Sequence, residues 1–442
     1  MRKNYARAAL AAAAAGGLAL AGLAGAAPAL AAPITVAVPC STGALSTAIT
    51  NAIDGDVLQL ARNCTYVLTS ALPQVTVTLT IQGSSSTLER SYANGTPEFS
   101  LLTVGTGGDL TVSKVHFTNG YAGNDGGAID AGGGPLTVTG GTFTGNYSKD
   151  YGGAIDAEHG VTITGATFTG NSAAYYGGAV SVAGGTSSIS DSVFTGNAAP
   201  DVGWGGAIIA FTDLTVTGAT FTSNSAADGG AVYVDGGFTK LFSSRFTKNN
   251  GTSNGGAAYA DGDFYVQNSA FRQNTTEDEG GAVYNESTAL VKYSTFSYNQ
   301  SSSEYGGALA NTSFLAVAGS SLNGNSAPYG GAVYNQSTLS LSGDSLLANT
   351  AQYGAGLYTG DLATISTTRF QQNSASAAGG GIYNDTSDGV NLTASQVTYN
   401  HAPAGGGGGI YNDGDVVLAS TTVRFNTVNN CSPAASVTGC TG

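Results

Sequence analysis

Two segments reading Gly-Gly-Ala-Ile-Asp, at 126–130 and 152–156, place Asp130 and Asp156 in the same slot of consecutive repeats. Carboxylates held close together repel unless one is protonated or a cation lies between them. Oxygen ligands of this kind suit calcium, so the pair is a candidate calcium site, with Glu158 and His159 close behind. The same pair is the best candidate for the two carboxyl groups of a glycoside hydrolase. The plain alternative is an exposed, solvated turn. A second acidic stretch, Glu-Asp-Glu-Gly-Gly at 277–281, has Asp228 as its counterpart two repeats earlier. No arginine fills a matching slot to act as a lyase base, and the stretch reads as solvated surface.

Aromatic residues offer a different chemistry. Tyr151, Tyr176, Trp204, Tyr305, Tyr329 and Tyr353 stand immediately before a glycine pair or its variant. A second file, Tyr233, Tyr259, Tyr284, Tyr334, Tyr358, Tyr383 and Tyr411, follows the aliphatic residue behind the glycines. Rows of rings suit stacking on a polysaccharide, and equally suit ladders that stiffen turns. His116, His159 and His401 fall in different slots of distant repeats, so no metal site or Ser-His-Asp relay unites them. The glycine pairs lack the Lys-Ser/Thr and helix of a phosphate loop. No catalytic set can be assembled, and the chain reads as leaning away from an enzyme.

All these residues ride on one repeat. Twelve asparagines from Asn146 to Asn426 recur 24–27 residues apart, with an aromatic or aliphatic residue three places earlier, as in Phe168 before Asn171. A Gly-Gly-Ala-aliphatic anchor, loosening to GAGL and GGGI in the later copies, sits in each period, and between the anchors lie alternating runs such as LTVTGATF at 214–221. Alternation with valine, threonine and phenylalanine is a strand signature. Glycine at 67 of 442 residues opposes helix. Three short strands and three turns per period predict an all-β, single-stranded parallel β-helix. Its inward slots are the aliphatic after Gly-Gly-Ala, the residues seven and five before the phenylalanine, and the phenylalanine itself. The asparagine is predicted at a bend, its amide bonded to backbone or to the asparagines above and below.

The ends differ from the repeat. A basic head, an apolar run and Ala29-Leu30-Ala31 mark residues 1–31 as a signal peptide. The mature chain is therefore expected to be secreted and extracellular, with no membrane contact after cleavage, and monomeric. With Arg2, Lys3 and Arg7 in the leader, 11 basic residues face 28 acidic ones, a net charge of −17. So acidic a chain, with no run of lysine or arginine, argues against nucleic acid as a partner. Residues 32–70 are predicted as an N-terminal cap in which Leu45, Ile49 and Ile53 form the apolar side of a short helix. Residues 71–430 are the β-helix, and 431–442 a closing loop. Four cysteines in an exported chain read as disulfides, and locality favours Cys40 with Cys64 and Cys431 with Cys440.

The paired GGAI and FTGN motifs resemble the repeats of polymorphic outer membrane proteins. The mature chain as a whole resembles secreted right-handed β-helix repeat proteins of actinomycetes. That likeness includes VPCSTGALSTAITNAIDGDVLQLARNCTYVL, LPQVTVTLTIQG and the closing NNCSPAASVTGC. It implies a right-handed, pectate-lyase-like solenoid and adds no defined activity. The expected function is non-enzymatic recognition at a cell wall, matrix or surface, with a polysaccharide or cell-surface glycan as partner. The alternative is a carbohydrate-active enzyme of the pectate lyase or polygalacturonase-like class acting on an acidic or plant polysaccharide. No cofactor is expected beyond the candidate calcium ion.

Overall fold

The computed structural model describes residues 32–433 and 436–440, so the signal-peptide reading of 1–31 lies outside the described residues. Pro33–Gly442 forms one compact unit. Its strands pair only with their counterparts one period away, building three sheets of 29, 11 and 14 strands. The pairing is parallel and keeps the repeat in register: Phe143 opposes Phe168, Tyr147 opposes Ser172, and Ile155 opposes Val180. The chain is a parallel β-solenoid.

One coil shows the plan. Leu136–Thr139 and Thr142–Thr144 belong to the long sheet, Tyr147–Ser148 to the 11-stranded sheet, and Ile155–Ala157 to the 14-stranded sheet behind the glycine pair. The coil therefore has the three predicted sheets but four strand segments. The long sheet is interrupted by a residue in the left-handed region, Gly140 at φ 65° in this coil and Tyr293 at φ 51° in a later one. Alternation alone hides such a corner, because the inward residues on either side keep their period.

The predicted inward slots are the core. Leu136, Val138, Phe143 and Ile155 are all buried, as are their equivalents in the following coils up to the last, where Leu418 and Val423 are partly buried. Eight phenylalanines from Phe117 to Phe296 stack in one column with centroids 4.6–4.9 Å apart. Full burial of one such ring contributes about 1.5–3 kcal/mol.

The repeated asparagine is buried and fully bonded. In Asn249 the Nδ2 donates to Oδ1 of Asn274 at 3.0 Å and to the carbonyl of Phe221 at 3.2 Å. Its Oδ1 accepts from the backbone N–H and Nδ2 of Asn224, each at 3.0 Å. Both donors and both acceptor sites of the amide are used. The same pattern runs unbroken from Asn146 to Asn426. The asparagine thus bonds both to backbone and to its neighbours. A second, shorter amide ladder joins Asn285, Asn311 and Asn335 through 2.7 Å bonds, carried by the asparagine two places after the aliphatic slot.

Three left-handed corners recur along the coils, and they differ in what they admit. At the corner before the asparagine the residue is Gly170, Lys248, Tyr298 or Phe425, according to the coil. A Cβ at Gly170 meets nothing within 4 Å, because it points to solvent. The third corner is always the first glycine of the pair. Behind Gly177, a Cβ on Gly178 would run into the carbonyl oxygen of Gly206 and stand 2.5 Å from that of Ala198. Close coil-to-coil backbone approach, more than turn conformation, favours the second glycine, which gives way to alanine at Ala355 where glycine follows instead.

At the N-terminal end the helix Thr42–Thr50 buries Leu45 and Ile49 against the first coils, and Ile53 lies beyond its end. Both disulfides form with local pairing, Cys40–Cys64 and Cys431–Cys440, at Cα separations of 5.7 and 6.3 Å.

Denaturant unfolding checks this reading of the corners. Gly170→Ala is expected to cost about 1 kcal/mol, the ordinary penalty of alanine in the left-handed region. Gly178→Ala should cost about 3 kcal/mol or more through overpacking. Equal costs would refute the steric account. Asn249→Ala leaves several buried groups unpaired and should also cost about 3 kcal/mol or more.

Candidate functional site

The outward face of the 14-stranded sheet gathers most of the singled-out residues. Its central file, read along the register, is Asp130, Asp156, Ser181, Ile209, and then Tyr233, Tyr259 and Tyr284. After Ala310 it resumes as Tyr334, Tyr358, Tyr383 and Tyr411. The residues before the glycines run alongside it. Tyr151, Tyr176 and Trp204 are bridged coil to coil, followed by Asp228, Asn254 and Glu279, then Tyr305, Tyr329 and Tyr353.

The two aromatic files of the sequence are one stripe. Tyr151 stacks on Tyr176 at 4.8 Å, and Trp204 passes the stack across to Tyr233 at 4.9 Å. Tyr233 continues to Tyr259 at 4.6 Å, just where the neighbouring file turns acidic. Beyond Ala310 the files rejoin, with Tyr305 stacked on Tyr334 at 4.2 Å. Tyr233, Tyr259, Tyr284 and Tyr334 are buried at 3–8 % exposure, so the middle of the stripe is a packed ladder. Tyr151, Tyr176, Trp204, Tyr305, Tyr329 and Tyr353 are half-buried.

The stripe opens at its C-terminal end. There the residue before the glycines shrinks from Tyr353 to Ala378, which uncovers the next central rings. Tyr353, Tyr383 and Tyr411 line a shallow cavity of about 450 Å³, with Ala377, Ala378 and Gly405 among its other walls. Tyr383 stacks on Tyr411 at 4.8 Å and meets the edge of Tyr353 at 5.5 Å. The signal lies in the alanine that replaces tyrosine at Ala378, a gap that the pattern of tyrosines alone does not reveal.

Carboxylates fix the phenols. Glu286 accepts from the Tyr259 hydroxyl at 2.5 Å and from the Tyr284 hydroxyl at 2.9 Å, and Asp385 accepts from Tyr358 at 2.5 Å. Burial pushes the Glu279 carboxyl up to about 7, with Glu304, Glu286 and Asp278 adding repulsion. Of the first candidate pair, Asp156 is buried and pushed up to about 7, chiefly by desolvation. Asp130 is raised less, for the same chief cause, while its Oδ1 accepts from the Gly132 N–H at 3.0 Å. The pair is thus adjacent in register, as the repeated motif predicts, and is not the exposed turn of the plain alternative. Among the described residues no group of three or more His, Cys, Asp or Glu side chains converges to hold a metal ion. The histidines stay apart, and His116 bonds Thr142 Oγ1 at 2.8 Å.

A third buried acid interrupts a hydroxyl ladder. Ser244, Ser269 and Ser294 each accept from the backbone N–H of the equivalent residue one coil earlier. Asp344 takes the same slot: its Oδ1 accepts from the Ser320 N–H at 2.7 Å and its Oδ2 from the Ser342 N–H at 2.8 Å. Desolvation still outweighs these bonds and pushes it up to about 7.

Asp156, Glu279 and Asp344 all bind a proton more tightly folded than unfolded. Their contribution to stability is complete below the ordinary carboxylate range and is lost as pH rises through about 7. Tm should therefore fall between about pH 4 and pH 8. Asp344→Ser, which restores the hydroxyl of neighbouring coils, should raise Tm at pH 8 and flatten that slope. An unchanged slope would remove Asp344 from the account.

Comparison with known proteins adds the following. Residues 140–158, 165–183, 218–235 and 367–385 match the Chlamydia polymorphic membrane protein repeat. No curated protein matches the chain. The chain is similar to tailspike protein 3 of bacteriophage CBA120, at 10 % identity and a TM-score of 0.36, over 89 % of this chain and 59 % of the tailspike chain. It is also similar to a mutant tailspike protein of E. coli bacteriophage HK620, solved in complex with a hexasaccharide. There the identity is 13 % and the TM-score 0.33, over 86 % of this chain and 74 % of that one. Among the described residues no helix is long and apolar enough to cross a membrane. The chain is a parallel β-helix repeat protein carrying repeats of the polymorphic membrane protein type.

Proposed function

We propose that the protein is exported and serves in recognition at a cell wall, matrix or surface, binding a polysaccharide through the open end of its aromatic stripe. The observation that carries this reading is the cavity between Tyr353, Tyr383 and Tyr411. Tyr411 ends the stack, with Tyr383 against one side and Ser432 next in register, so it supplies an apolar ring for a sugar, and the nearby acceptors Asp385 and Asp413 suit the sugar's hydroxyl groups. The polymorphic membrane protein repeats support a surface role. The half-buried rings from Tyr151 to Trp204 and from Tyr305 to Tyr353 extend the track along the coils.

The carbohydrate-active alternative draws its support from Glu279, whose raised carboxyl would suit a general acid. Its neighbour Glu286, the natural partner for acid–base work, is engaged by two phenols. That engagement favours a ladder strut over a free catalytic carboxylate.

Affinity electrophoresis through gels containing neutral β-glucan, xylan or mannan tests the proposal. At least one polymer should retard the protein, and Tyr383→Ala with Tyr411→Ala should weaken retention on the order of tenfold while leaving Tm in place. No retardation by any polymer would sink the reading. Release of reducing or unsaturated sugars from these or acidic polymers, abolished by Glu279→Gln, would establish the enzyme instead.

A further inference from the structure

The long sheet carries a second surface of opposite charge to the rest of the protein. In the runs 238–250, 263–275 and 288–300 stand Lys240, Arg245, Lys248, Arg272 and Lys292, against one carboxylate, Asp263. Outside the leader the chain has only 11 cations, and five of them lie here. The three runs are consecutive coils in direct register, with Lys240 opposite Tyr265 and Gln267 opposite Lys292. On the adjoining strand Thr247 opposes Arg272, and the Lys248 N–H bonds the Arg272 carbonyl. Residues 25 apart in the chain are thereby brought one strand spacing apart, about 4.8 Å. The equivalent outward positions of the preceding coil are Thr215, Thr217, Thr220 and Thr222, and those of the following coil, Phe314, Ala316, Ala318, Ser321 and Asn323, carry no charge.

These cations are not spent on internal ion pairs. The salt bridge among the described residues is Lys149–Glu98, elsewhere on the solenoid. Instead the cations lie over aromatic rings: Lys240 Nζ is 4.7 Å from the Phe238 ring, Lys292 Nζ 5.7 Å from Tyr265, and the Arg272 guanidinium 6.0 Å from Tyr298. Tyr293 and Tyr298, at two left-handed corners of one coil, are 61 % and 55 % exposed. The patch therefore offers alternating positive charge and ring faces on both sides of a corner.

We propose that this patch binds an acidic glycan, whose sugar rings lie on the exposed tyrosines while its carboxylate or sulfate groups meet the cations. The charge complementarity is local. Outside the leader 28 acids face those 11 cations, a net charge of −17, which repels a polyanion from the rest of the surface and favours these three coils. The same excess of negative charge disfavours a densely charged nucleic acid, which would need neutralisation over a longer track. The patch lies on the long sheet and the tyrosine cavity on the 14-stranded sheet, so the two sites can fail independently.

Retention of the full chain on polygalacturonate, dextran sulfate, neutral dextran and a single-stranded oligonucleotide tests the proposal at low and high salt. Polygalacturonate, dextran sulfate or both should retain the protein, more weakly as salt rises, and neutral dextran should show no salt-sensitive retention. Retention by one alone identifies carboxylate or sulfate as the recognised group. Replacing Lys240, Arg245, Lys248, Arg272 and Lys292 with glutamine should weaken retention at least about tenfold. Tm and binding at the Tyr383–Tyr411 cavity should stay unchanged. Tyr298→Ala alone should weaken binding with its salt dependence intact. Three outcomes would overturn the proposal: no retention by either acidic glycan, full retention by the glutamine variant, or equal retention on the oligonucleotide.

Discussion

Everything else in the structure hangs on a buried amide that has no spare hydrogen-bonding capacity. Asn249 uses two donors and two acceptor sites inside the protein, tying three coils together. Such a group is costly to bury alone and self-consistent only when its neighbour is the same group at the same height. The ladder from Asn146 to Asn426 thereby fixes both the register and the rise of the coils. The phenylalanine column and the stacked glycine pairs are consequences of that fixed rise. Rings settle at 4.6–4.9 Å, the strand spacing that the backbone pairing and the amides share.

A scaffold made this uniform leaves recognition to the outward slots. On the 14-stranded sheet the outward residue drifts from aspartate through isoleucine to tyrosine, while the inward neighbours hardly change. On the long sheet it is mostly serine and threonine until five cations interrupt it. Both departures extend over several coils, which is the length scale of a polymer rather than of a small molecule. Several acids that the sequence does not single out are spent on structure: Glu286 is a strut for two phenols and Asp344 fills a ladder slot.

The interior was legible in the sequence because every inward slot repeats. Phe168 with Asn171, or Ile155 after its glycines, could be assigned to core from spacing alone, and the disulfides from locality. The corner within the long sheet was not legible, because at Tyr293 or Thr367 nothing in the residue type announces a left-handed conformation. The merging of the two tyrosine files also escaped, since it depends on which of two neighbouring slots holds the ring in each coil. The basic patch was hidden for a simpler reason. Lys240, Arg272 and Lys292 are far apart in the chain and form no run, whereas a solenoid turns one period into one strand spacing. Charge in such a protein has to be read down columns.

The unequal corners carry a consequence for how this surface can change. Positions such as Gly170, Lys248, Tyr298 and Phe425 share one backbone conformation and point outward, with nothing above the Gly170 site to restrict what is placed there. They form a row of interchangeable display sites at constant pitch, structurally insulated from the amide ladder one residue away. Drift along that row can rewrite what the protein recognises without renegotiating how it folds, so related chains should diverge fastest there while keeping the neighbouring asparagines in step.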